Sequence, residues 1–321
     1  MEWIVMKRIV LMNCDPGHDD AIALFLAFSS ELLDVRAVTV SAGNQTIEKT
    51  LNNAKRIISL AGARPKVAKG AGKPLIRELM VAPSVHGDSG LDGPDIPESD
   101  IVEEPCGAVE LMYREIMDAA NNGRKVTVVS TCPLTDIAAL LLAHPDVNPH
   151  IELLSIMGGA VYGGNWTPAA EFNILVDPEA ADIVFRSGIP IVMCGLDVTH
   201  KALVLPEEVE MFRSMGGRIP VITAELLDYF WKFHKAQGFA GSPLHDACAV
   251  AYLIAPELFT TADYHIDIET QGLYTTGATV ADVQGTTGKA PNARVCMDID
   301  REGFIRLLRS AMEYYLEKER R

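Results

Sequence analysis

The sequence contains no CxxC pair, no hydrophobic run of membrane-spanning length and no surplus of positive charge, and each absence removes a class of protein. Its six cysteines (Cys14, Cys106, Cys132, Cys194, Cys248 and Cys296) are scattered, several inside apolar runs. They read as buried free thiols in a reducing compartment. A membrane helix needs about 18–20 consecutive apolar residues, and no stretch approaches that. The opening MEWIVMKRIVLMNCDPG is interrupted by Glu2, Lys7 and Arg8, which argues against a cleaved signal peptide. The expected location is cytoplasmic. With 28 Lys and Arg against 43 Asp and Glu the net charge is −15. No basic stripe offsets that deficit, so nucleic acid is a poor partner. Repeats, low-complexity tracts and linkers are missing too, and 1–321 reads as a single domain with enough apolar residues (48%) for a sizeable core.

What is present is an alternation of short β-branched runs with helical patterns. RIVLMN (8–13), VRAVTVS (35–41), KVTVVS (125–130), IELLSIMGG (151–159) and IPIVMCG (189–195) read as strands. Helices are expected over 19–29, 45–62, 106–121, 133–143, 220–236, 244–254 and 301–319, with a short one opened by Pro178. This order predicts an α/β fold with a mostly parallel central sheet flanked by helices on both faces. The stretch 72–104 reads as a long functional loop, and 214–219, with two glycines, as a second mobile segment. In parallel sheets ligands bind beyond the carboxyl ends of the strands, so the residues that follow each strand matter most.

After the first strand comes Asn13-Cys14-Asp15-Pro16-Gly17-His18-Asp19-Asp20. Three carboxylates within six residues repel unless a cation or a proton intervenes, and hard oxygen ligands suit Ca²⁺ or Mg²⁺. Helix capping accounts for one or two of them but not for all three. After the strand at 151–159, Asn165, Glu171 and Asn173 supply donors and acceptors suited to sugar hydroxyls, although a polar loop would look the same. His245-Asp246 opens a later helix and His86 sits in the long loop. Taken alone, the first could be a helix cap and the second a surface residue.

In this order the pieces resemble the inosine-uridine preferring nucleoside hydrolases, which open with Asp-x-Asp-Pro-Gly-x-Asp-Asp. The resemblance also covers Gly43-Asn44-Gln45-Thr46, the run from His86 to Gly93, Ser130 to Thr135, Glu171-Phe172-Asn173 with Val176 to Ala180, His245-Asp246-Ala247 and Gly288 to Asn292. It implies Ca²⁺-dependent hydrolysis of the N-glycosidic bond of ribonucleosides, releasing ribose and a free base for salvage. It also implies a homodimer or homotetramer. Asp15, Asp20, Asp246 and the main-chain carbonyl of Thr131 would hold the metal, with Asp15 also taking the proton of the attacking water. Asp19, Asn44, Asn165, Glu171 and Asn173 would hold ribose, and Met157 would lie beneath the sugar. His86 would line the base pocket and His245 would assist the leaving base, with Tyr229 or Phe233 walling that side. Nearby carboxylates would stabilise an oxocarbenium-like state. His86 and His245 fit broad or pyrimidine-leaning members better than purine-specific ones.

One departure stands out: Asn13 occupies the place of the family's first Asp. It rules against a haloacid-dehalogenase-like phosphatase, which needs that Asp as nucleophile. It leaves a catalytically weak nucleoside- or Ca²⁺-binding homologue as the alternative. On the sequence alone, Asn13→Asp is expected to restore the family pattern with a modest gain. Cys132, where the family often has Gly, looks harmless because the inferred ligand at Thr131 is a backbone oxygen.

Overall fold

In the computed structural model, which describes residues 6–320, β1 (Arg8–Cys14) is buried from Ile9 onward on both of its faces. A central parallel strand needs that burial, and RIVLMNC meets it with an unbroken apolar run. The chain then alternates through α1 (His18–Ser29), β2 (Leu33–Val40), α2 (Ile47–Leu60), β3 (Lys66–Lys69), α3 (Pro83–His86), α4 (Ala108–Asn121), β4 (Val126–Ser130), α5 (Thr135–Ala143) and β5 (Ile151–Met157). It continues with α6 (Phe172–Val176), α7 (Pro178–Phe185), β6 (Ile191–Cys194), α8 (Leu196–Thr199), β7 (Leu203–Val204), α9 (Pro206–Ser214), α10 (Arg218–Ala236) and β8 (Ser242–Pro243). The last elements are α11 (His245–Ile254), β9 (Phe259–Tyr264), β10 (Ile266–Ile268), β11 (Thr279–Ala281), β12 (Ala293–Ile299) and α12 (Arg301–Arg320).

Eight strands form one sheet in the order β3-β2-β1-β4-β5-β6-β12-β9, parallel throughout except for the antiparallel edge pair β12–β9. Helices cover both faces. Val10 and Met12 point into a core shared with α1, α2, α10, α11 and α12, while Ile9 and Leu11 join a second core built with α4, α5 and α7. Alternate residues of one strand thus feed opposite layers. The Tyr315 hydroxyl donates to the Phe25 carbonyl at 2.8 Å and ties α12 to α1. The strand order reverses between β1 and β4, and such a reversal opens a crevice at the carboxyl ends of the two strands. Residues 13–20 and 130–132 emerge there.

The expected fold class is the observed one, and the expected strands and helices are present with shifts of about two residues at their ends. The sequence reading passed over β3, α6, α9 and the strands between 259 and 299. β3 has four residues and β9 is a half-exposed edge strand, so neither shows a clear apolar period. The long loop at 72–104 is irregular apart from α3. The turn at 214–219, expected to be mobile, is docked on α12, where the Arg218 N–H donates to Glu319 at 2.9 Å. The first five residues of the stretch rejected as a signal peptide lie outside the described residues. No helix among the described residues is long and apolar enough to cross a membrane.

Candidate active site

The turn from β1 into α1 delivers the acidic residues to the crevice. Asp15 leaves the strand end, and Asp19 and Asp20 stand in the first turn of α1, where the helix dipole favours carboxylates. Asp246 enters from the first turn of α11. One oxygen from each of Asp19, Asp20 and Asp246 lies within 4.8 Å of the others, and all three side chains are buried. Asp20 is fixed by three donors: the Gly17 N–H at 2.9 Å, the Asn44 amide at 3.1 Å and the Thr131 hydroxyl at 2.8 Å. Asp15 stands behind this group with Oδ2 accepting the Asn44 N–H at 2.7 Å. A Cβ on Gly43 would lie 2.0 Å from that same oxygen, so the chain can pass there only as glycine.

Burial raises the pKa of all four carboxyls, and their mutual repulsion adds to it for Asp15, Asp19 and Asp246. An all-oxygen, anionic and dehydrated donor set of this kind fits a hard divalent cation, which would relieve the repulsion. The tight group differs in membership from the ligand set implied by the resemblance. It includes Asp19, which was expected on ribose, while Asp15 adjoins it. The Thr131 carbonyl faces the same region and accepts the Asn173 side-chain amide at 3.2 Å.

Above the carboxylates opens a pocket of about 630 Å³, part of it in contact with solvent. Every residue expected to contact substrate lines it: Asp19, Asn44, His86, Met157, Asn165, Glu171 and Asn173, together with Thr131, His245 and Asp246. Asp15 and Asp20 do not line it, being fully buried beneath its floor. One wall is made of amides and a carboxylate held in place by main chain. Asn173 donates to the Met157 carbonyl at 3.2 Å as well as to Thr131. Glu171 caps α6 by accepting the N–H groups of Asn173 and Ile174, and it also accepts that of Gly159 at 3.0 Å. Burial pushes its carboxyl up to about 7. The Asn165 side-chain oxygen accepts the Phe172 N–H at 3.0 Å.

The opposite wall is aromatic. The loop 72–104 brings His86 there through α3, and α10 supplies Phe230, Phe233 and His234, with Gln237 at its C-cap. Of the two aromatics proposed from sequence, Phe233 lines the pocket. Tyr229 instead stacks on His18, with ring centroids 5.0 Å apart. His245 is 8% exposed, with Nδ1 2.8 Å from the Thr199 hydroxyl. Burial and the neighbouring imidazoles His234, His200 and His86 lower its pKa well below the usual value, so it is neutral near pH 7. His234 Nδ1 lies 3.0 Å from the Phe230 carbonyl; since a carbonyl only accepts, that nitrogen carries the proton and Nε2 is left as an acceptor. His200, Phe230, His234 and Gln237 escaped the sequence reading. For Phe230 and His234 the available signal was spacing on one helix, with Phe230 three residues before Phe233 and four before His234, because residues three and four apart share one helix face.

The family described as inosine-uridine preferring nucleoside hydrolase matches residues 10–306. The pyrimidine-specific ribonucleoside hydrolase RihA of Escherichia coli O157:H7 is 54% identical over 313 residues, covering 97% of this chain and all of the relative. The protein of the same description from Shigella flexneri matches to the same extent. Among solved structures, the purine-preferring ribonucleoside hydrolase from Gardnerella vaginalis superposes with a TM-score of 0.89 at 29% identity, covering 96% of this chain and 100% of that one. The chain is thus a ribonucleoside hydrolase and belongs to the inosine-uridine preferring nucleoside hydrolase family.

Proposed function

We propose that this enzyme hydrolyses the N-glycosidic bond of pyrimidine ribonucleosides with a bound divalent cation, Ca²⁺ by preference, and so returns ribose and free base to salvage. The observation that carries the reading is the buried Asp19–Asp20–Asp246 group lying under a pocket with one hydrogen-bonding wall and one aromatic, imidazole-rich wall. The 54% identity to a pyrimidine-specific relative supports the choice of base. The family resemblance supports a cytoplasmic homodimer or homotetramer.

Asp15, Asp19, Asp20 and Asp246, with the Thr131 carbonyl, form the cation-binding region. A divalent cation held by these residues would supply Lewis-acid chemistry that makes water easier to deprotonate. Asp15 takes the proton of the attacking water, a task suited to a buried carboxylate beside the cation-binding group. Asp19, Asn44, Asn165, Glu171 and Asn173 orient ribose above Met157, so that water meets one face of the anomeric carbon. As the C–N bond breaks, positive charge grows on the sugar and the floor carboxylates stabilise it. Negative charge grows on the departing base, where the neutral His245 imidazole donates a hydrogen bond, with His86 and Phe233 holding the ring.

Turnover of uridine, cytidine, inosine and 2′-deoxyuridine tests this assignment by release of base. Uridine and cytidine are expected to be the best substrates. Deoxyuridine is expected to be slower in kcat/KM by roughly 10²–10³-fold, since buried groups left unpaired cost about 1–3 kcal/mol each. Faster cleavage of inosine would overturn the pyrimidine assignment, and equal rates on uridine and deoxyuridine would overturn the ribose clamp.

A further inference from the structure

Asn13 departs from the family pattern, yet its surroundings require an amide. The side chain is fully buried, two residues before Asp15. Its NH₂ group faces three oxygens, Thr39 Oγ1 at 3.1 Å, Asp136 Oδ2 at 3.2 Å and the Thr39 carbonyl at 3.4 Å. The Thr39 hydroxyl donates its own hydrogen to the Met12 carbonyl at 3.2 Å, so its oxygen is left to accept. An ionised Asp136 can only accept. The Asn13 carbonyl oxygen in turn receives the Cys132 thiol at 3.1 Å. Both ends of the amide are therefore used, and its orientation is fixed.

Asp136 is the second residue of α5 and is itself buried, with its other oxygen accepting the Ala71 N–H at 2.8 Å. A Cβ on Gly70 would lie 2.0 Å from Asp136 Oδ2, so main chain is pressed against this carboxylate and it has no room to swing away. We infer that Asn13 and Asp136 are an exchanged pair: the supporting carboxylate that the family pattern carries on β1 sits here on α5, and it holds the strand end that presents Asp15 through the Asn13 amide. Asp136 is a positioning residue, and the departure at Asn13 is compensated rather than a lesion. The expectation that Asn13→Asp improves the site is thereby reversed. An aspartate at that place would set a carboxylate oxygen about 3 Å from Asp136, a like-charge contact that persists even if the Thr39 hydroxyl turns to donate to the new carboxylate.

The inference rests on the proposed reaction for its kinetic readout but not for its thermal one. Wild type, Asn13→Asp, Asp136→Asn and the double variant are compared by kcat and KM on uridine and by thermal midpoint. Each single change is expected to lower kcat at least tenfold with KM changed less than threefold, and to lower the midpoint. In the double variant the amide introduced on α5 can donate to the carboxylate introduced on β1, and the Thr39 hydroxyl can turn to do the same. That variant is expected to recover kcat to within about threefold of wild type and most of the midpoint. A double variant whose losses are the product of the two singles would overturn the exchange, as would an Asn13→Asp protein as active and stable as wild type. If a single variant fails to fold, folding of the double supports the pair and its failure overturns it. If wild type cleaves no ribonucleoside, the proposed reaction fails alone and the midpoints still decide the pair.

Discussion

Asp246→Asn is expected to lose divalent-cation binding and uridine turnover together, the latter on the order of 10³-fold in kcat/KM, as befits removal of a major charge-stabilising group. The change keeps the side chain's shape and removes one of three carboxylates that converge within 4.8 Å. Because repulsion among those groups is part of what raises their proton affinity, taking away one charge costs the apo fold little. Asp20→Ala is expected to behave differently. It too should lose cation and activity, but it also strips the Gly17 N–H, the Asn44 amide and the Thr131 hydroxyl of their acceptor. Buried donors left unpaired cost about 1–3 kcal/mol each, so Asp20→Ala should melt several degrees lower as well. Calorimetric titration with Ca²⁺, steady-state turnover and thermal melts separate the two. Unchanged cation affinity in Asp246→Asn would place the metal elsewhere.

His245→Ala is expected to slow uridine cleavage by about 10²-fold or more in kcat, within the usual contribution of a well-placed proton donor, with a smaller effect on KM. It should barely slow p-nitrophenyl riboside, whose leaving group departs without help. The structure sharpens the reason. His245 lies in the pocket wall beside Asp246, and burial among His86, His200 and His234 keeps its imidazole neutral. A neutral ring acts by donating a hydrogen bond to the nitrogen on which charge develops, an interaction that matters most when the leaving group is poor. Equal slowing of both substrates would show that His245 positions Asp246 or the Thr199 contact instead.

What could be read from the sequence divides along physical lines. The sheet and its flanking helices were legible because buried parallel strands such as RIVLMNC are continuous apolar runs and their helices carry a 3.6-residue period. The site was legible where chemistry is concentrated in a short segment, as in the turn that carries Asp15, Asp19 and Asp20. It was less legible where a side chain's role depends on rotation about a helix. Tyr229 and Phe233 both looked able to wall the pocket; Phe233 does, and Tyr229 faces His18. It was illegible at Asn13. There the deciding partner, Asp136, lies 123 residues away, and nothing local reports that its carboxylate faces the side chain and calls for a donor there. The result is a departure from the family pattern whose sign could be judged only in three dimensions.

The most direct test of the account is uridine turnover before and after complete removal of divalent cations, followed by readdition of Ca²⁺. Three buried carboxyls that converge within 4.8 Å, with Asp15 adjoining them, imply under the proposed reaction that the stripped enzyme loses at least about 10³-fold in kcat/KM, and that Ca²⁺ restores it. Undiminished cleavage of uridine by the stripped protein would contradict the account at its centre.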